Sequence, residues 1–141
     1  MDLIFYSEGK VRCLPMIETG LKGHQTEIVT NDKTAAAMGS GTLPVYATPA
    51  MIALMEKTAM VSVAGEIGEK EATVGTKLEI SHLAACGLGT KVSCESELVE
   101  IDRKRLVFSV TAYDGDTVIG KGKHERFIID TVKFMDKVNG K

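Results

Sequence analysis

The sequence predicts an α+β domain in which an antiparallel sheet wraps around one long central helix. Three observations predict it. A helix over residues 49–64 is apolar on every side in its first half, so protein must surround it. Long runs with a period of two follow it, each ended by a turn signal. The 141 residues suffice for one core and are too few for two.

The elements follow in order. Residues 1–15 differ in character from the rest and end at Leu14-Pro15. They are read as an N-terminal extension or a short strand, with residues 16–141 as a single domain. Residues 26–30 form a short β-type run, and Asn31-Asp32 reads as a helix cap ahead of residues 33–38. Gly39-Ser40-Gly41 ends that helix, and residues 43–47 are an extended lead-in. Thr48 is a good N-cap for the central helix, Pro49 suits its first position, and Gly65 stops it. In the next strand Ala72, Val74, Thr76, Leu78, Ile80 and His82 share one face, with Lys77, Glu79 and Ser81 opposite. Gly87-Leu88-Gly89 turns the chain into a strand over 90–101. Asp102-Arg103-Lys104 turns it again, into a strand with Leu106, Phe108, Val110 and Ala112 on one face. Asp114-Gly115 is a hairpin signal. It leads into residues 117–129, where Gly120 and Gly122 invite a bend or bulge. Residues 132–138 form a short final helix. Antiparallel sheet against one apolar helix is an α+β plan, and a sheet curled about such a helix is the hotdog arrangement.

Composition removes several classes of function. Hydrophobic residues at 44% and charged residues at 26% are an ordinary soluble balance. A net charge of −2 leaves no basic field for nucleic acid or anionic lipid. No apolar run reaches the ~18 residues of a membrane span, and the opening lacks a signal peptide's basic start and apolar core. Cys13, Cys86 and Cys94 are sparse and without metal-ligand spacing. The expectation is a cytoplasmic protein with no metal, no nucleic acid and no membrane partner. The absence of Trp argues against stacking platforms.

Three residues stand out for chemistry. Thr48 opens the central helix, where unpaired N–H groups and a partial positive charge suit a developing oxyanion. Its hydroxyl also serves simply as a cap. Glu56 shares a helix stripe with Ile52, Met60 and Val63, and a buried carboxylate needs a partner or a role as general base. His82 sits on the apolar face of its strand and completes a Thr/Glu/His set capable of proton transfer. Thr48 and Glu56 lie about 12 Å apart along one helix axis and cannot touch. Either the substrate spans them, or a dimer partner brings a second copy near. His124 and Arg126 share parity on the last strand, where Arg126 suits a carboxylate or phosphate. The bland readings are a loop role for His24 and small buried thiols for Cys86 and Cys94. The glycine turns lack phosphate-loop spacing.

Three separated motifs resemble one family. Residues 45–60 (VYATPAMIALMEKTAM) look like the central helix of the fluoroacetyl-CoA thioesterase group of hotdog proteins. Residues 72–85 (ATVGTKLEISHLAA) resemble its next strand, and residues 108–115 (FSVTAYDG) with 122–127 (GKHERF) its last hairpin. The likeness covers about residues 19–138. It implies a catalytic set of Thr48, Glu56 and His82, with Gly75 and Arg126 binding substrate. It also implies a homodimer with sites at its interface, a dimer of dimers being left open. CoA enters as part of the substrate, not as a resident cofactor. One departure concerns selectivity. The fluoroacetyl-specific enzyme carries aromatic residues in a lid ahead of the threonine, whereas residues 34–43 (TAAAMGSGTL) hold no Phe. A different or broader short acyl group is therefore expected.

The leading expectation is hydrolysis of a small acyl-CoA thioester. A non-hydrolytic acyl-CoA binding or sensing protein is the second reading, because fold does not dictate function. An enoyl-thioester hydratase is the third, and Thr48 in place of an acid at the helix start argues against it.

Overall fold

The computed structural model describes residues 3–5, 11–13 and 17–140. The chain runs β1 (Leu3–Phe5), β2 (Val11–Cys13), β3 (Lys22–Ile28), a 3-10 turn (Asn31–Lys33), α1 (Ala35–Met38) and α2 (Thr48–Ala64). Then follow β4 (Glu71–His82), β5 (Lys91–Asp102), β6 (Arg105–Asp114), β7 (Thr117–Asp130) and α3 (Thr131–Asn139). β1 and β2 pair antiparallel with each other. The rest of residues 1–15, on which the expected extension or short strand falls, lies outside the described residues.

The main sheet has the order β3-β5-β6-β7-β4 and is antiparallel throughout. β3 and β4, separated in sequence by α2, are thus its opposite edges. Met51, Leu54, Met55, Ala59 and Val63 of α2 meet Val92, Cys94, Leu98, Leu106, Phe108, Val110 and Ala112 of the sheet in one core. Full burial of such side chains contributes about 1.5–3 kcal/mol each. α2 is not enclosed on all sides as its composition predicts. Ala53, Lys57, Met60 and Val61 stay open, because one five-stranded sheet covers only one side of a helix.

Two caps differ from expectation. α1 is capped by Thr34, whose hydroxyl accepts from Ala37 N–H at 3.2 Å, and the Asn31-Asp32 pair sits in the preceding 3-10 turn. Ala47, not Thr48, occupies the N-cap of α2, and no side chain caps that helix. Thr48 lies inside the first turn, its hydroxyl released for other use.

The face pattern of β4 also changes. The β4–β7 register shifts between Gly75 and Lys77. Thr76 is the extra residue of this bulge, tied by its hydroxyl to Glu125 C=O at 3.2 Å. Beyond the bulge Leu78, Ile80 and His82 oppose His124, Gly122 and Gly120; before it Thr73 and Gly75 oppose Ile128 and Arg126. Thr73 and Gly75 therefore turn inward in place of the expected Ala72, Val74 and Thr76. The unbroken alternation predicted from sequence missed that one inserted residue reverses the parity. Gly122 serves close approach, not bending: a Cβ there would meet Glu79 C=O at 1.9 Å. The irregularity in β7 falls at Ile119, beside Gly120, where the β6–β7 register shifts.

Candidate active site

The segment before α2 is held tightly. Tyr46, 1% exposed, donates its hydroxyl to Glu27 of β3, and Lys33 pairs with the other oxygen of that carboxylate at 2.9 Å. Burial, then the bond to Glu27, raises the Tyr46 phenol far above its ordinary range; the same carboxylate raises Lys33. Tyr46 N–H also donates to Cys86 C=O, and Ala47 N–H to Lys33 C=O. This network fixes the start of α2, where Thr48 and Ala50 contribute N–H groups and Pro49 has none.

His82 ends β4 beside that start. Its Nδ1 lies 2.7 Å from Thr48 Oγ1. A hydroxyl 34 residues away in sequence is thus paired with an imidazole, an arrangement in which the ring can take or return the hydroxyl proton. His82 Nε2 is buried, with no hydrogen-bond partner among the described residues. The pair opens onto a cleft of about 350 Å³ lined by Ala35, Ser40, Val45, Tyr46, Leu83, Ala84 and Ala85. Those walls are mainly small and apolar.

The other three predicted residues gather further along β4. A Cβ on Gly75 would lie 2.9 Å from Glu56 Oε2, 3.2 Å from His124 Cε1 and 3.4 Å from Arg126 Nη1. The Glu56 carboxylate therefore stands over bare backbone, facing two buried side chains of β7. Arg126 is 6% exposed and His124 fully buried. Burial lowers the pKa of Arg126, and the Glu56 charge opposes that effect. Thr73 binds the guanidinium twice, its hydroxyl accepting from Nε at 2.7 Å and its carbonyl from Nη2 at 2.8 Å. Glu56 itself forms no ion pair among the described residues.

The five predicted residues thus form two groups. Thr48 meets His82; Glu56 and Arg126 both stand beside Gly75 without pairing; α2 holds the groups apart at the spacing its length dictates. Thr73 was not singled out from the sequence, because the bulge that turns it inward leaves no residue signature. His124 was noted only for sharing parity with Arg126. Cys86 and Cys94 are free and buried, and burial raises both thiols, Cys94 to about 11.

Comparison with known proteins places the chain among thioesterases. The family model described as FlK, fluoroacetyl-CoA-specific thioesterase, matches residues 29–132. A fluoroacetyl-CoA thioesterase of Streptantibioticus cattleyicolor is 37% identical over 97 residues, covering 69% of this chain and 70% of that one. A solved structure of the fluoroacetyl-CoA thioesterase FlK aligns with a TM-score of 0.83 at 31% identity, over 89% of this chain and 98% of that one. A Thermus thermophilus hypothetical protein, a thioesterase superfamily member, aligns with a TM-score of 0.81 at 26% identity, over 88% and 92% of the two chains. The sheet and its long helix are those of a hotdog-fold thioesterase domain. Within that class, the chain belongs to the fluoroacetyl-CoA-specific thioesterase family.

Proposed function

We propose that this protein hydrolyses a small acyl-CoA thioester to the free acid and CoA, with Thr48, Glu56 and His82 as its catalytic set. The observation that carries the reading is the Thr48–His82 pair, a hydroxyl 2.7 Å from an imidazole nitrogen at a helix N-terminus, opening onto a small apolar cleft. In the reaction a water oxygen replaces sulfur on the acyl carbon, the C–S bond breaks and CoA leaves as its thiol. His82 takes the proton of the attacking hydroxyl, from Thr48 or from water, and returns it to sulfur. N–H groups at the start of α2 stabilise the oxyanion. Gly75 offers backbone that an extended thioester can approach, beside Glu56 and Arg126 as base and anchor. Hydroxylamine trapping of an acyl group on Thr48 or Glu56 separates the covalent route from direct attack by water.

CoA enters as part of the substrate, and no resident cofactor is required. The acyl group is short, apolar and not restricted to fluoroacetyl. Ala35 of α1, with Ala84 and Ala85, offers small side chains in the cleft, and the aromatic ring that lines it, Tyr46, is tied by its hydroxyl to Glu27. The working unit is a cytoplasmic homodimer. Among the described residues β4 is an unpaired sheet edge, and Leu78, Met60 and Val61 are 40%, 41% and 43% exposed on β4 and α2. A partner across that edge would cover these side chains and bring a second copy of one group near the other, a geometry compatible with the separation along α2.

The test is free-thiol release from acetyl-, fluoroacetyl-, short branched and aryl-acetyl-CoA, with Thr48→Ala, Glu56→Ala and His82→Ala alongside. Turnover should collapse in His82→Ala and in at least one other variant. A wild type that binds CoA, remains dimeric and turns over nothing would instead identify a sensing protein.

A further inference from the structure

We propose that His124 is a positioning residue: an uncharged imidazole that locks the Arg126 guanidinium to the bulge of β4 and so sets the Glu56–Gly75–Arg126 half of the site. The inference rests on the thioesterase reading for its kinetic consequence only.

The hydrogen bonds leave one protonation state. His124 Nδ1 is 2.9 Å from Lys77 C=O, and a carbonyl only accepts, so Nδ1 carries the hydrogen. His124 Nε2 is 3.0 Å from Arg126 Nη1, and a guanidinium only donates, so Nε2 holds a lone pair. A protonated ring would aim an N–H at an N–H in a fully buried position. Burial, and secondarily the neighbouring Arg126 charge, lowers the His124 pKa; the Lys77 carbonyl and the Glu56 charge oppose this. The charged groups around the ring are Arg126 and Glu125 on β7 and Glu56 on α2, while β4 contributes the Lys77 carbonyl and β6 the Phe108 ring at 6.4 Å.

The consequence is mechanical. Thr73 precedes the bulge and fixes Nε and Nη2, while Lys77 follows it and fixes His124, which in turn fixes Nη1. The guanidinium is thus clamped across both sides of the bulge. Its remaining N–H hydrogens are directed by that clamp, and Nη1 stands 3.4 Å from the Cβ position of Gly75. Removing the imidazole acceptor frees one arm of the fork, while the guanidinium keeps its charge and its Thr73 contacts.

The two amide replacements separate the two ring functions. His124→Gln retains an acceptor near the Nε2 position; His124→Asn retains a donor near Nδ1 but offers Arg126 nothing. Steady-state thiol release should show kcat about 100-fold lower in His124→Asn with KM within about threefold, and recovery to within about tenfold in His124→Gln. Equal losses in both variants that track their unfolding midpoints would overturn the proposal in favour of a packing role. Nitrogen-15 spectra of the wild-type ring should show the neutral Nδ1–H tautomer at pH 7. The Arg126 Nη1 hydrogens, which meet His124, should remain protected in His124→Gln and exchange or broaden in His124→Asn. The opposite tautomer, or an Arg126 Nη1 signal indifferent to both changes, would overturn the clamp whether or not the wild type hydrolyses thioesters. A wild type with the expected spectra and no turnover would sink the thioesterase reading alone.

Discussion

Gly75→Ala tests whether bare backbone opposite Arg126 is a functional requirement. The added Cβ would meet Glu56 Oε2 at 2.9 Å and His124 Cε1 at 3.2 Å, against an ordinary contact of 3.4 Å or more. His124 is pinned at both ring nitrogens and cannot retreat. The carboxylate ends a flexible side chain and must give way by about half an ångström. Removing a strand glycine stabilises by about 0.5–1 kcal/mol, while crowding of this kind costs about 1–3 kcal/mol. The fold should therefore lose at most about 2.5 kcal/mol. Chemistry should suffer more, because displacing a reacting group by a fraction of an ångström costs up to about 100-fold, or about 2.7 kcal/mol of barrier. The assay is kcat/KM by thiol release at a temperature where urea unfolding shows the variant fully folded. A folded variant within about threefold of wild type would refute the role assigned to this position.

Tyr46→Phe removes a donor to Glu27 but leaves Lys33 on that carboxylate, so chemical unfolding should show a loss of about 1–2 kcal/mol; a change under about 0.5 kcal/mol would mean the bond contributes nothing. His124 has a folded-state pKa below its ordinary 6.5, so between those values the unfolded chain binds the extra proton. Its contribution is present in full above about pH 6.5 and is lost as pH falls towards the folded-state pKa, so unfolding free energy in that window should depend less steeply on pH in His124→Gln than in wild type. Paired Leu78→Glu and Met60→Glu substitutions place like charges on the open edge and helix face, and light scattering should register a shift from dimer to monomer. An unchanged mass would locate the interface elsewhere.

Much of the architecture was legible because the governing patterns are local. The period of two in 106–112, the Asp114-Gly115 turn and the apolar α2 each state their structure within a few residues. The hydroxyl–imidazole half of the site was legible because both residues break their surroundings: Thr48 precedes a helix-starting proline, and His82 lies on an apolar face. What eluded sequence reasoning depends on distant partners. Thr76 differs in no local respect from a strand threonine; only the match of β4 to β7 makes it the extra residue. Thr73 and His124 acquire meaning once that extra residue has turned Gly75 towards Arg126. The N-cap expectation at Thr48 failed for a related reason, since its hydroxyl is taken up by His82.

The bulge at Thr76 also constrains how this strand can change length. Gly75 and His82 are an odd number of positions apart, so on a regular strand they would face opposite sides of the sheet. They share the inner face only because one residue is looped out between them. Deleting a single residue here, or adding one, would switch one end of the strand to the outside while leaving its composition nearly intact. Changes by two residues would keep the parity and alter only the spacing. In this segment the reading frame of the pleat is itself part of the site, so indels of one residue should abolish function where many side-chain substitutions are tolerated.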